Sequence, residues 1–420
     1  MPDETFPDLE TWRKTAREWL TQHAEPRPAG NSADRPRSEG SDSVAVFHNL
    51  SVEEEAAILR ANQAWQQAKD DAGYAAIDWP PEWGGAGLPA DYARVFAEEE
   101  AAFVTPPGAE LFSVTVRLVA PTVATFGTDE QKDRFLTPLR QAEVLACQLF
   151  SEPGAGSDLA NLSCRAVQDG DEWIVNGQKV WTSGAPHAAY GQLIARTDWD
   201  VPKHRGLTAF LVPLDAPGVE IRPIRQMTGG ASFSEVFLSD VLIPDGLRLG
   251  EVGDGWRVAL TTLGFERSHS GSSRRRPGGS WEQLAAAARH FGRADDPAVR
   301  QGLADVYIGA TLLRLDAERV AAAARAGHAP GPEGSIGKLA WTQLMARMTA
   351  VATEVLGPRL AADTGEWGAY AWSEHVLGAP GYRVAGGSDE IQRNIIAERV
   401  LGLPPEPRVD KDVPFRDLRR

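Results

Sequence analysis

The chain has 420 residues, 42% hydrophobic and 24% charged, enough to bury more than one core without disulfide or metal staples. Its formal charge of -15 opposes binding to nucleic acid, so an anionic ligand needs a local cluster of positive charge. Two cysteines without paired spacing, Cys147 and Cys164, an acidic start containing prolines, and no apolar run of membrane length predict a reducing, cytoplasmic setting with no signal peptide, structural zinc or membrane span.

Leu9, Trp12, Ala16, Trp19 and Leu20 repeat at helical spacing and predict a first amphipathic helix. From Ala24 to Phe47 the periodicity stops among Pro, Gly and Ser, which reads as a long surface excursion. Ser51 and Glu54 form a capping box for a helix carrying Ile58, Leu59 and Trp65 and ending near Gly73. WPPEWGGAGL, Trp79 to Leu88, is a loop whose tryptophans pack between helices or flank a ligand mouth. Thr128 and Gln131 repeat the capping pattern before a helix through Phe135 and Leu139.

FSEPGAGSD, from Phe150 to Asp158, places small residues and hydroxyls on an irregular turn where N–H groups can reach an electron-rich ligand. Trp173 to Val175 and Lys179 to Trp181 flank Asn176-Gly177, a pair suited to a two-residue hairpin turn. Trp181 then stands beside Thr182, Ser183 and Gly184, a flat surface next to hydroxyls that suits a planar heteroaromatic cofactor.

Four further β-rich runs follow, Tyr190 to Arg196, Leu207 to Pro213, Val219 to Ile224 and Ser234 to Pro244. From Trp256 the pattern is helical again, with Val299 to Ala326 and Ile336 to Val355 as bundle helices and SHSGSSRRRPGG, Ser268 to Gly279, as a flexible basic loop. A last helix, Glu390 to Leu401, is entered from Gly386 and Gly387 with Ser388 as its N-cap, and Pro404 to Arg420 reads as a polar tail. The fold class is α+β: an N-terminal helical domain (1–145), a middle antiparallel β domain (146–250), a C-terminal helical bundle (251–405) and a tail (406–420).

This order, with FSEPGAGSD, NGQKVWTSG and GGSDEIQRNIIAERVLGLP in succession, resembles the acyl-CoA dehydrogenase family from about Leu9 to Pro404. The resemblance implies non-covalent FAD, dimers or tetramers in which a neighbouring subunit helps hold the cofactor, oxidation of an acyl-CoA thioester between its α and β carbons, and an electron-transfer flavoprotein as acceptor. It places Phe150, Ser151, Gly156, Trp181 and Ser183 at the flavin, with the Ser183 hydroxyl toward the nitrogen that receives hydride. Ser157 would lie along the phosphate-bearing part of a ligand, and Ser388 and Glu390 beside the FAD phosphate and ribose. The open N-terminus of the last helix suits a diphosphate on physical grounds.

The chain departs from the family pattern in two places. Gly386 stands where many members carry the catalytic glutamate, although its N–H remains to hold a thioester carbonyl. Other branches place the base in a Leu-x-x-Glu-Arg pattern on the first helix after the β domain, and this chain has Leu263, Glu266 and Arg267 there. Helical spacing sets Glu266 beside Ala259 and Leu263, bordering an apolar face formed with Trp256 and Leu260, where partial desolvation would raise its pKa. Periodicity alone reads it as a surface glutamate, and the family pattern makes it the base, with Arg267 at the substrate. The second departure is Ala288, which replaces the arginine of an Arg-x-x-Phe-Gly pattern used toward the neighbour's FAD; Arg289, Arg293 or Arg300 are candidate substitutes, and Arg274 to Arg276 a candidate phosphate contact. Three readings follow, in this order: a flavin-dependent acyl-CoA dehydrogenase, a monooxygenase or oxidase of the same fold, and the non-catalytic subunit of a heteromeric dehydrogenase.

Overall fold

Side-chain caps open three of the six N-terminal helices among the described residues. A computed structural model of the chain describes residues 6–27, 44–47, 49–269, 277–326, 328, 331–362, 365–366, 368–408 and 410–418, with the backbone alone at 266–269, 324–325 and 369–371. Helix α1 (Leu9–His23) starts at Asp8, whose carboxylate accepts from the N–H of Glu10 and Thr11. Ser51 with Glu54 caps α2 (Val52–Asp71), and Thr128 with Gln131 caps α6 (Asp129–Arg140), each as a reciprocal box. Between them lie α3 (Ala90–Glu100), α4 (Glu110–Val114) and α5 (Ala120–Phe126), the last two joined by a π-turn at Thr115–Val119. Trp12, Trp19, Tyr74, Tyr92 and Phe96 pack α1 onto α3. Trp79 and Trp83 rest half-buried against the main core.

The middle of the chain forms one eight-stranded sheet: β1 (Ala146–Leu149), β2 (Arg165–Asp169), β3 (Glu172–Ser183), β4 (Tyr190–Arg196), β5 (Leu207–Pro213), β6 (Val219–Ile224), β7 (Phe233–Pro244) and β8 (Arg248–Leu249). The order is β6-β7-β3-β2-β4-β5-β8, with β1 paired to β4. Most pairs are antiparallel, but β1 and β2 each meet β4 in parallel, so the sheet is mixed. The expected hairpin at Asn176-Gly177 is not there. The reversal falls at Asp169 to Glu172, around Gly170 with φ 62°, and β3 runs unbroken through Asn176-Gly177 as a bulge against β7. Asn176 trades two 2.9 Å hydrogen bonds with Asp240, and a Cβ on Gly177 would meet Cys164 at 2.7–2.8 Å. The glycine thus serves close strand packing.

The C-terminal bundle comprises α7 (Gly255–His269), α8 (Trp281–His290), α9 (Pro297–Arg325), α10 (Gly334–Leu356), α11 (Ala369–Tyr382) and α12 (Asp389–Ile395). Its core holds Leu284, Ala288, Val306, Met348 and Trp372. The end of the presumed surface excursion joins that core. Val44, Ala45 and Val46 are at most 3% exposed, and Phe47 stacks on Tyr382 with ring centroids 5.0 Å apart. A cluster of four apolar residues after a polar stretch lacks helical or strand period, so periodicity could not place it.

The tail also proves to be structural. Phe415 is 1% exposed, its N–H donates to Val201 O at 2.9 Å, and the fully buried Arg196 guanidinium lies over its ring, 3.4 Å from the centroid. Arg196 donates as well to the carbonyls of Ala160, Leu162 and Lys203. Phe415→Leu, which keeps most of the volume and loses the ring face, is expected to cost about 1–2 kcal/mol in chemical denaturation.

Candidate functional site

The stretch from Phe150 to Gly184 is built around one buried ammonium. Lys179 is fully buried on β3, and its Nζ donates to Glu152 Oε1 at 2.8 Å, Phe150 O at 3.0 Å and Ile194 O at 2.9 Å. Glu152 in turn accepts from the N–H groups of Ser163 and Cys164 at 2.7 and 2.8 Å. Burial alone would raise its carboxyl, but the charge and hydrogen bond of Lys179 with the two N–H donors outweigh this and hold it below its ordinary value. Burial pushes the neighbouring Cys164 thiol up to about 11, so it stays protonated at neutral pH.

On that base the cradle takes shape. Glu152 and Ala155 exchange two 3.0 Å backbone bonds around Pro153-Gly154, and Val180 N–H donates to Ser151 O at 2.9 Å, which sets Ser151 beside Trp181. A Cβ on Gly154 or Gly156 would meet nothing within 4 Å, so these glycines border open space. Trp181 is 60% exposed and has a left-handed φ of 62°, an uncommon conformation for a tryptophan. A large indole held out of the core on strained backbone presents a face for a flat ligand. The Phe150 ring is buried in the core, so only its backbone can serve a ligand. Ser157 is exposed at the outer end of the loop, beside Asp158, which pairs with Lys203 at 2.9 Å. Lys203 also binds Asp410 of the tail at 2.8 Å.

A run of rings joins this surface to the bundle. Trp181 meets Phe233 edge-on at 6.2 Å, Phe233 meets Phe47 at 5.4 Å, and Phe47 stacks on Tyr382 at the end of α11. The glycine pair follows, with φ of 63° at Gly386 and 82° at Gly387. Gln392 donates to both their carbonyls and Lys338 to that of Gly387 at 2.6 Å. Asp389, buried in the first turn of α12, accepts from Thr342 and Arg383 at 2.7 and 2.8 Å. Ser388 is the N-cap of α12 as expected, its Oγ accepting from Ile391 N–H at 3.3 Å, and the exposed Glu390 pairs with Arg393 at 3.3 Å.

Helix α7 is pinned by Thr262, fully buried, 2.9 Å from Thr122 Oγ1 and accepting from Gln192 at 2.8 Å. Its buried face is Val258, Ala259 and Thr262, while Leu260 is 43% exposed, so the face lies differently from the one expected through Leu260. Position 266 follows Thr262 and Ala259 along the helix at spacings of four and seven. The side chains of Glu266 and Arg267, and residues Arg274, Arg275 and Arg276, lie outside the described residues. Ala288 is fully buried in the bundle core. A surface hollow of about 440 Å³ between α5 and α7, lined in part by Thr125, Asp254 and Arg257, involves none of these residues.

One participant escaped the sequence reading. Ser183 Oγ donates to Glu110 Oε1 at 3.0 Å. The contact arises because Gly184, at φ 64°, lets α4 approach so closely that a Cβ would lie 2.7 Å from Leu111 Cβ. Gly184→Ala is expected to cost about 1–3 kcal/mol, read by thermal or urea denaturation, and to draw α4 away from Ser183. Glu110 sits 73 residues from Ser183, and no local pattern announces the pair.

Family models match three stretches of the chain: acyl-CoA dehydrogenase N-terminal domain over residues 41–143, middle domain over 147–241 and C-terminal domain over 253–401. Acyl-CoA dehydrogenase IpdE1 of Mycobacterium tuberculosis (strain ATCC 25618 / H37Rv) is 42% identical over 349 residues, 82% of this chain and 88% of its own length. The short-chain specific mitochondrial acyl-CoA dehydrogenase of Homo sapiens is 36% identical over 198 residues, 46% of this chain and 47% of its own. Among solved structures, the Tcur3481-Tcur3483 steroid ACAD superposes with a TM-score of 0.73 at 28% identity, covering 96% of this chain and 100% of that one. The ChsE4-ChsE5 complex from Mycobacterium tuberculosis gives 0.69 at 29%, with coverage of 96% and 100%.

Proposed function

This chain belongs to the acyl-CoA dehydrogenase family of FAD-dependent oxidoreductases, and from that premise we propose that it converts an acyl-CoA thioester to its trans-2-enoyl thioester. The observation that carries the reading is the exposed, strained Trp181 beside Ser151 and Ser183, with Gly154 and Gly156 opening onto free space. A planar ring system with hydrogen-bonding edges fits that surface. When bound, FAD supplies the acceptor for a hydride from the substrate β-carbon.

The chain's own residues supply the rest. Trp181, Ser183, Ser151, Gly156 and the Phe150 backbone hold the flavin, and Ser388 and Glu390 serve the phosphate and ribose end, with Glu390 accepting from a hydroxyl. Glu266 removes the α-proton. The N–H of Gly386 holds the thioester carbonyl as charge develops on it. Ser157 and Arg267 steady the substrate, and an electron-transfer flavoprotein takes the electrons. Anaerobic mixing of the FAD-loaded protein with thioesters of different bulk is expected to bleach the flavin with at least one of them. No bleaching with any, together with oxygen consumption once a flavin reductase is added, would favour a monooxygenase instead.

A second reading has its own support: the chain works as one half of a heteromeric dehydrogenase. Ala288 stands where the family pattern has an arginine directed at the neighbour's FAD. The two structural neighbours above carry paired names, and one is titled a complex. The purified chain is then expected to hold less than one FAD per chain until its partner is added; full occupancy in a homo-oligomer contradicts this reading.

A further inference from the structure

We propose that Glu110 is a positioning residue that sets whether the Ser183 hydroxyl offers its proton or a lone pair to the flavin. The inference rests on the placement of Ser183 against the flavin made above. Its starting point is the 3.0 Å bond from Ser183 Oγ to Glu110 Oε1, fixed by the close seating of α4 on Gly184.

A serine hydroxyl has one proton and two acceptor sites. While that proton is held by a carboxylate, only lone pairs face the other way, and a partner there must donate. Once Glu110 is protonated, its own O–H can donate to Ser183 Oγ, and the serine proton is free for an acceptor. An oxidised isoalloxazine has a bare nitrogen where hydride arrives, and a reduced one has an N–H. The two hydroxyl orientations therefore suit the two states of the cofactor.

The surroundings keep the switch within reach. Glu110 is exposed, with Ser183 on one side and the Glu55 carboxylate of α2 near it. Desolvation by the surrounding protein raises its carboxyl above its ordinary value, the Ser183 hydrogen bond works the other way, and the Glu55 carboxylate on α2 adds to the rise. Its exposure to solvent moderates the effect. Past Glu55 lies His187, on the turn after β3, with Nε2 3.5 Å from Glu55 Oε2. Among the described residues these are the titratable groups that face the pair.

The test uses the FAD-loaded protein and reads its visible absorption against pH, alongside the rate of anaerobic bleaching. The wild-type flavin band is expected to shift in a single step with pH. Glu110→Gln, which keeps the shape and cannot ionise, should hold the acid-side spectrum throughout. Glu110→Ala should slow bleaching at saturating thioester roughly tenfold, the worth of one charge-assisted hydrogen bond, with KM unchanged. Thermal melting checks that each variant is folded. A Glu110→Gln spectrum that titrates like wild type overturns the proposal, as does a change confined to KM, which would turn Glu110 toward the substrate. A Ser183→Ala protein with unaltered spectrum and bleaching overturns instead the placement of Ser183 at the flavin, and the proposal with it.

Discussion

Glu266→Gln is expected to leave the bound FAD in place and to slow its anaerobic bleaching by acyl-CoA about 10²–10⁴-fold, the usual contribution of a positioned general base. The amide keeps the shape of the side chain and removes its basicity. Position 266 has a firm support: α7 is held to α5 and β4 through Thr262, one turn earlier, and Gly255 at its start lets the backbone of Leu207 and Thr208 within 2.6 Å of where a Cβ would stand. A helix so seated can hold a carboxylate to the tolerance proton transfer demands. Stopped-flow absorbance of wild type and variant at saturating thioester provides the measurement. Equal rates would remove Glu266 from the chemistry.

Lys179→Met is expected to lower the stability of the β domain by about 3–5 kcal/mol, because it leaves the Glu152 carboxylate buried without its counter-ion. The carbonyls of Phe150 and Ile194 lose their donor in the same step. Denaturant titration reads the loss, and FAD content should fall with it, since Ser151 and Trp181 hang from this bond network. A Lys179→Met/Glu152→Gln double variant should recover part of the deficit. The pH dependence has a definite sign. Glu152 titrates lower in the folded chain than in the unfolded one, so its contribution is present at neutral pH and is lost as pH falls through the folded value. In Lys179→Met that acid-side loss should shrink.

Much of this architecture was legible in the sequence, and the failures have physical reasons. The capping boxes at Ser51 and Thr128, the alternation of β6 and β7 and the short apolar runs of β4 and β5 depend on local chemistry, which survives in any window of ten residues. Asn176-Gly177 misled because the dipeptide that suits a hairpin turn also suits a bulge, and only pairing with β7 separates the two. The burial of Val44 to Val46 depends on a core assembled more than two hundred residues later. In the site, Trp181 and Ser183 stood out because a flat ring beside hydroxyls is a local signal. Glu110 did not, since its meaning comes from the missing Cβ of Gly184.

The clasp between the tail and the sheet bears on how the molecule is made. Lys203 and Asp410, and Arg196 and Phe415, close the rim of the β domain across a separation of 207 residues in the first case. On the ribosome, the strands from Ala146 to Leu249 emerge long before the ring that covers Arg196. Until then a guanidinium meant for a dry site lacks the ring that covers it. Contacts of such long range close slowly, so the nascent sheet waits, incomplete, until Asp410 and Phe415 have emerged. A fragment cut at residue 250 would be fixed in that unfinished state, and dissecting the β domain by truncation would yield a less stable protein than its sequence limits suggest.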